Sequence, residues 1–329
     1  MDINSLLEKA VQHKASDVHL TSDTVPWWRI DGNLAPIEGE AIITLAEFKK
    51  ILTQLNPKFN ADSNEQDFAY ALPSVARFRV NVFKHANGLS AALRVINVKI
   101  PTLADLGMGT KISKLCNFDN GLILVTGPTG SGKSTTLAAM INYINETQKR
   151  HIVTIEEPIE YTYQSKNSLI QQREVGAHTD NFQNALRAVL REDPDVILIG
   201  EMRDLETIRL ALTAAETGHL VFGTLHTSSA VGCINRIIDV FSGDEKSVVR
   251  AMLAESLQAV IAQTLLPVEG GGRVALQELM IATPAIRNLI REDKTHQIAS
   301  MIETGANVGM QSFAQALKEL QRQYKILQE

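Results

Sequence analysis

The chain has 329 residues, 44% of them hydrophobic and 21% charged, which predicts about two globular domains. Its net charge of −5 argues against broad, nonspecific nucleic-acid binding, so we expect no stable nucleic-acid complex. The two cysteines, Cys116 and Cys233, are too few for a disulfide framework or a zinc cluster and indicate a reducing compartment. No apolar run approaches the ~18 residues of a membrane span, so we expect no direct membrane insertion.

The pattern of apolar residues in the first ~100 residues predicts a small α+β module. Apolar spacing over 6–11 predicts a short helix, and 17–21 and 26–30 predict strands, the second closed by an Asp31-Gly32 turn. Further on, 77–82 and 89–96 predict a hairpin with its turn at Asn87-Gly88.

Three arginines belong to this hairpin: Arg77, Arg79 and Arg94. The period-two alternation of a strand places Arg77 and Arg79 on one face, and Phe78, Val80 and Val82 on the other. The arginines are either solvated and paired with acids or free to contact phosphate on a neighbouring subunit.

The most informative segment is a glycine-rich loop that follows the apolar run 121–126 and precedes the helical pattern 137–144. Strand, glycine-rich loop and helix in this order form a phosphate-binding P-loop. Lys133 would reach the β- and γ-phosphates of ATP, and the Ser134 hydroxyl would bind Mg²⁺. The candidate nucleotide-binding residues are Gly127, Pro128, Thr129, Gly130, Ser131, Gly132, Lys133, Ser134 and Thr135.

From about residue 106, strands and helices alternate, as in a parallel sheet covered on both faces. Helices are predicted near 182–190 and over 204–217, the latter with Asp204 as N-cap and Gly218 as its stop. After about 240 we expect a mostly helical segment, in which Thr283-Pro284 begins a short helix. Strands are predicted at 121–126, 151–155, 195–200 and 219–224.

Acidic residues follow two of these strands, at the edge where open α/β sheets bind ligands. Glu201 comes directly after the apolar run 196–200 and resembles a Walker B acid beside Mg²⁺. Glu156, Glu157 and Glu160 form a cluster after 151–155, which is either a solvated acidic turn or part of the catalytic site. His226, in a polar loop after 219–224, is either structural or a hydrogen-bonding sensor of the γ-phosphate.

Together these motifs resemble one family, the secretion and type IV pilus ATPases, over nearly the whole chain. The most specific segments are 127–135, 190–204, 206–219 and 285–292, and the last is typical of the retraction branch of the family. The resemblance implies an α/β fold: a PAS-like N-terminal domain at 1–98, a linker at 99–106, and a RecA-like P-loop core at 107–329 that ends in helices from about 270.

The resemblance also implies site roles. Glu160 would be the water-activating base, Glu201 the Walker B acid, and His219 with His226 the "His box". Arginines of the hairpin, Arg79 and Arg94 among them, would act on a neighbour's nucleotide. One departure concerns Glu157, where the family usually has aspartate, which lengthens the side chain by a methylene.

Finally, the resemblance implies an Mg-ATP-dependent homo-hexamer. It would lie in the cytoplasm at the inner-membrane base of a pilus, act on a platform protein, and power pilus retraction and twitching motility. The four-cysteine zinc motif usual in assembly-type relatives is absent from this sequence, which favours retraction. Three alternatives stay open: an accessory retraction ATPase, a RecA-like ATPase in DNA uptake or nucleic-acid handling, and a non-catalytic nucleotide-binding regulator.

Overall fold

The computed structural model of the chain describes residues 2–30, 32–73, 75–96 and 100–326. These fall into two compact units, one of residues 1–99 with 158–162 and one of residues 100–157 with 163–329. Asp31 of the predicted turn and Lys99 of the predicted linker lie outside the described residues. In the described ranges, no helix combines the length and apolarity that crossing a bilayer requires.

The first unit is a six-stranded antiparallel sheet with two helices, in the strand order β3-β2-β1-β6-β5-β4. Apolar residues of both helices share one core cluster with the sheet. The elements are α1 (Ile3–Gln12), β1 (Asp17–Thr21), β2 (Trp27–Ile30), β3 (Asn33–Pro36), α2 (Leu45–Leu55), β4 (Glu65–Leu72), β5 (Ala76–His85) and β6 (Gly88–Ile96).

The predicted hairpin is present as β5 and β6, and its predicted faces are confirmed: Phe78, Val80 and Val82 are buried. Its turn lies one residue earlier than expected, because His85 pairs with Gly88 and the turn residues are therefore Ala86 and Asn87. Gly88 has φ +135°, and a Cβ there would lie 2.3 Å from Ser22 Oγ. The positive φ at this position therefore favours glycine, and a side chain there would also displace the Ser22 hydroxyl.

The second unit is built on a seven-stranded sheet of order β13-β12-β7-β11-β10-β8-β9, parallel except for the edge strand β13. Its strands are β7 (Gly121–Thr126), β8 (His151–Glu156), β9 (Leu169–Glu174), β10 (Val196–Ile199), β11 (Leu220–Leu225), β12 (Leu257–Pro267) and β13 (Arg273–Ile281). Its helices are α3 (Gly109–Leu115), α4 (Lys133–Thr147), α5 (Phe182–Val189), α6 (Leu205–Glu216), α7 (Ala230–Asp239), α8 (Lys246–Ser256), α9 (Pro284–Arg291), α10 (Ile298–Thr304) and α11 (Phe313–Gln323), with 3₁₀ turns at Thr295–Gln297 and Gly305–Val308.

Both faces of this sheet are covered, which explains its continuous apolar strands. Alternate residues of β7 enter different cores: Leu122 and Leu124 pack into one cluster, Ile123 and Val125 into another. Cys116 and Cys233 lie in these cores, and burial raises the pKa of each thiol to about 12.

Most predicted elements of the core are confirmed. The strand 121–126 is present with those bounds, and Asp204 caps α6 by accepting a hydrogen bond from Thr207 N. The expectation of a mostly helical segment after 240 needs correction, because β12 and β13 occupy 257–267 and 273–281. Apolar periodicity alone does not distinguish a buried strand from a buried helix.

Helix α9 begins as predicted, with Thr283 as N-cap and Pro284 in its first turn. Arg287 of this helix caps the C-terminal end of α8: its guanidinium donates to the carbonyls of Ala254 (2.6 Å) and Glu255. It also donates to Gln258 Oε1 at 3.0 Å. Burial lowers the pKa of Arg287, so these acceptors compensate a partly desolvated cation.

We predict that Arg287→Ala destabilises the second unit by about 2–3 kcal/mol, because α8 loses charge-assisted bonds to its last carbonyls. Urea unfolding followed by circular dichroism measures the change. Arg291→Ala in the same helix is the matched control. Its side chain is 45% exposed and lies 4.0 Å from Glu255, so its loss should cost less than about 0.5 kcal/mol. Equal effects of the two substitutions would contradict this capping role.

Candidate active site

The phosphate loop leaves the carboxyl end of β7 and enters α4. Ser131 N donates to Pro128 O at 3.2 Å, which closes a turn, and Gly130 (φ +77°) and Gly132 (φ +86°) adopt left-handed backbone. Gly132 is the N-cap of α4 and has no side chain to cap the helix. The first N–H groups of α4 are therefore available to an anion, as the sequence predicts.

Lys133 lies within this loop. Its side chain is largely buried, and its Nζ donates to the carbonyls of Gly127 and Pro128, both at 2.9 Å. Ser134, the next residue, is exposed at the start of α4. The ammonium and the hydroxyl thus flank the same helix terminus, which is the arrangement expected of a P-loop.

Glu201 follows β10 and is surrounded by basic groups. Arg203 Nη2 lies 2.7 Å from Glu201 Oε2, and His226 Nε2 lies 3.2 Å from Oε1. The hydrogen bond from Arg203 is the main cause that lowers the pKa of Glu201, and the charges of Arg203, His226 and Lys133 add to it. The structure thus brings together Glu201, His226 and the phosphate loop and keeps the carboxylate ionised.

Strand β10 ends in a tight junction that places Glu201. Gly200 N donates to Ile155 O at 2.8 Å, and Thr224 Oγ1 donates to Gly200 O at 2.5 Å. A Cβ on Gly200 would lie 3.2 Å from Ile155 O, so the adjacent strands permit little more than glycine there. Glu201 is therefore held between the ends of β8 and β11.

The acidic cluster after β8 is divided. Glu156 is buried and accepts from Thr154 Oγ1 at 2.7 Å and Gln172 Nε2 at 3.2 Å. Glu157 is half-exposed, with Arg203 Nη1 at 3.7 Å. Glu160 is exposed and belongs to the segment 158–162, which is part of the first unit. Its predicted role as a base stays a prediction.

The two histidines lie at opposite ends of β11. His226 follows the carboxyl end, next to Glu201. His219 precedes the strand, and its Nδ1 lies 2.9 Å from Ala214 O at the end of α6. Six residues of strand correspond to about 20 Å, so within one chain the structure does not bring His219 to the phosphate loop.

Sequence reasoning missed several polar residues that fix this edge. Thr126, the last residue of β7, is fully buried, and its Oγ1 accepts from Thr227 N at 2.9 Å and lies 2.7 Å from Thr227 O. Arg203 was also missed as the partner of Glu201, although it lies only two residues along the chain. Isolated polar residues beside apolar strands give the only sequence signal for such contacts.

The hairpin arginines form part of the first unit. Arg79 and Arg94 lie directly opposite each other on β5 and β6. Arg94 Nε lies 2.9 Å from Asp17 Oδ1, and Arg79 Nε lies 3.9 Å from Asp67 Oδ1. The side chain of Arg94 is 70% exposed and that of Arg79 46%, so both are accessible within this unit. Arg77 neighbours them on the same face of β5 and is partly buried.

Comparison with known proteins adds to this geometry. The family described as "Type II/IV secretion system protein" matches residues 1–329. The "Type IV pilus retractation ATPase PilT" of Pseudomonas aeruginosa is 54% identical, over 97% of this chain and 94% of that protein. A "Twitching motility protein" of Neisseria gonorrhoeae is 60% identical, over 79% and 70% respectively.

One solved structure, titled "Crystal Structure of the Pilus Retraction Motor PilT and Bound ADP", resembles this chain with a TM-score of 0.91 at 46% identity. The match covers 100% of this chain and 95% of that one. The predicted α/β class is therefore confirmed at the level of the whole fold.

We predict that the ion pair between Arg203 and Glu201 makes stability depend on acid pH. Because the pKa of Glu201 is lowered in the folded chain, its stabilising effect is present above its unfolded pKa and is lost as pH falls through the folded pKa. The melting temperature of Arg203→Ala should therefore lie below that of wild type at pH 7, and the gap should narrow as pH falls below about 4.5, the ordinary pKa of this carboxyl, and close only below the lowered folded pKa. In a Glu201→Gln background, the pH-dependent effect of Arg203→Ala should be much smaller, because only the longer contact with Glu157, at 3.7 Å, remains. A gap that persists at low pH would contradict this assignment.

Proposed function

The chain belongs to the type II/IV secretion system protein family, and from this we propose that it is an ATP hydrolase that drives retraction of a type IV pilus. The observation that carries the proposal is the site itself: a phosphate loop with Lys133, and an ionised Glu201 beside His226, at one edge of a parallel sheet. Similarity over nearly the whole chain to the retraction ATPase of Pseudomonas aeruginosa, at 54% identity, supports the proposed substrate and task.

The proposed nucleotide site extends beyond the loop. A cavity of about 440 Å³ opens beside Gly132 and Thr135, with an apolar wall that includes Leu106 and Leu265. We place the base of ATP there, because such a wall suits an aromatic ring and lies next to the phosphate-binding helix terminus. The phosphates would meet the N–H groups of 130–135 and the Lys133 ammonium.

The residues present fit a magnesium ion. Ser134 offers an exposed hydroxyl and Glu201 a carboxylate whose lowered pKa keeps it ionised, and both are the oxygen donors that Mg²⁺ prefers. When bound, the ion supplies charge neutralisation on the phosphates. Arg203 must give up at least part of its contact with Glu201 for that carboxylate to act as a ligand.

In the proposed reaction, Glu160 orients and deprotonates the attacking water, and His226 senses the γ-phosphate by a hydrogen bond. Arg79 and Arg94 of a neighbouring subunit stabilise the charge that develops on the transferred phosphoryl group. These roles require a ring in which the 1–98 domain of one subunit meets the 107–329 domain of the next. A homo-hexamer at the cytoplasmic face of the inner membrane, acting on a platform protein of the pilus machine, fits them.

The arginine proposal predicts complementation between inactive subunits. Arg94→Ala and Lys133→Ala should each lower the hydrolysis rate by about a hundredfold or more, because each removes a positive charge that stabilises the transition state. When the two variants are mixed and reassembled, some interfaces combine an intact arginine with an intact loop, so phosphate release should recover in part. The same test applies to Arg79→Ala.

Two controls define this experiment. A mixture of Lys133→Ala and Glu201→Ala should stay inactive, because both residues belong to the same unit of one chain. Lys84→Ala removes an exposed charge from the same hairpin, where Lys84 donates to Asp62 O at 2.9 Å, and should leave hydrolysis within about twofold. If Arg94→Ala is inactive and does not recover on mixing, the arginine acts within its own subunit.

The cellular function predicts a specific pilus phenotype. Cells that lack this protein should extend labelled pili and fail to retract them, as followed by live fluorescence microscopy. Wild type should restore retraction, and Glu201→Ala should not, because hydrolysis supplies the work. Retraction at normal speed and force in the deletion strain would instead indicate an accessory ATPase, and hydrolysis stimulated by DNA would favour a nucleic-acid motor.

A further inference from the structure

Gln263, in the middle of β12, is a buried polar residue that the proposed function does not use. Only 2% of its surface is exposed. Its Nε2 donates to the Ser131 carbonyl at 2.6 Å, and its Oε1 accepts from Thr136 Oγ1 and Gln277 Nε2, both at 2.8 Å. Ser131 lies in the phosphate loop and Thr136 in the first turn of α4. A buried amide is costly unless it is satisfied, so this network favours one arrangement.

The network also fixes the direction of the amide. If the Gln263 side-chain amide turned by 180°, its Oε1 would face the Ser131 carbonyl oxygen, and two acceptors would oppose each other. In the observed arrangement, Thr136 and Gln277 both direct donors at Oε1. Nε2 is therefore held toward the phosphate loop.

Holding the Ser131 carbonyl sets the direction of the next N–H group. Ser131 C=O and Gly132 N–H belong to one planar trans peptide, in which the two groups point in opposite directions. Because the carbonyl points at Gln263, the Gly132 N–H points away from β12. Gly132 is the N-cap of α4, so this donor belongs to the group at the helix terminus that binds anions.

The phosphate loop could adopt other conformations, since glycine adopts left- and right-handed backbone at similar cost. Contact with Gln263 restricts the loop at two of its glycines. A Cβ on Gly132 would lie 2.8 Å from Gln263 Nε2, and a Cβ on Gly127 would lie 2.2 Å from the Gln263 carbonyl oxygen. The glycines thus allow the loop to approach β12, and Gln263 then selects one peptide orientation.

We propose that Gln263 is a positioning residue of the phosphate loop, which presets the Ser131–Gly132 peptide for binding the phosphates of a nucleotide. The proposal rests on nucleotide binding at this loop, which is part of the proposed function. Its side-chain amide is held by Ser131, Thr136 and Gln277, and the residue also lines the cavity in which we place the base. It acts through the backbone of Ser131, so its effect should appear in nucleotide affinity and exceed its effect on folding.

The test is ADP affinity, measured by isothermal titration calorimetry with Mg²⁺ present, beside the melting temperature without nucleotide. Gln263→Leu keeps the volume and removes the amide. It should weaken ADP binding about tenfold to a hundredfold, the effect of losing the charge-assisted hydrogen bond from Gly132 N–H to a phosphate. Gln148→Leu is the matched control. Gln148 Nε2 also donates to a backbone carbonyl of the same unit, that of Cys116 at 2.9 Å, but not in the loop. Its loss should leave ADP affinity within about twofold.

A second variant covers the case in which Gln263→Leu does not fold. Gln277→Leu keeps Gln263 but removes one donor that orients it, and should weaken ADP binding about threefold to tenfold. The proposal is overturned if the folded variants bind ADP as wild type does, or if Gln148→Leu weakens binding equally. If wild type itself binds no ADP, the proposed function fails together with this inference, so the two failures are distinguishable.

Discussion

The site depends on one constraint: the carboxyl end of β7 is held from both sides. On one side, Thr126 binds the backbone of Thr227 beyond β11. On the other, β12 runs parallel to β7, and its Gln263 reaches the loop. A loop rich in glycine has little conformational preference of its own, so neighbouring strands must supply its order. The contacts of Thr126 also join the start of the loop to the segment that carries His226.

Opposite charges are balanced at this same edge of the sheet. Glu201 is fixed by the junction at Gly200, and Arg203, His226 and Lys133 surround it with positive charge. Burial alone would raise the pKa of this carboxyl, and these basic groups more than offset it. Arg203 is largely exposed and therefore the most easily displaced of these partners. The site thus keeps Glu201 ionised through a partner that is itself exposed to solvent.

Sequence patterns predicted the elements whose residues carry a local signal. The apolar run of β7, the glycine loop and the cap at Asp204 are examples, since each depends on neighbours along the chain. The strands β12 and β13 were missed because their buried residues lack a strand period. Gln263 and Thr126 were missed for a related reason: a lone polar residue reveals its partner only when the sheet brings distant strands together. His219 shows the converse: the sequence already placed it at the start of a strand, and only the family resemblance implied a role at the site.

The arginines of the hairpin presented two alternatives, pairing with acids or binding phosphate, and the geometry makes them compatible. Arg94 meets Asp17 through Nε, and Arg79 approaches Asp67 through Nε, so neither contact runs through the terminal Nη groups. That fork is the part of a guanidinium that binds phosphate with two parallel hydrogen bonds. Two like charges directly opposite on a sheet are unfavourable, and the aspartates relieve this while they orient the side chains. Ion pairing here is therefore compatible with the proposed role in nucleotide binding, because it leaves the terminal groups of two exposed cations available.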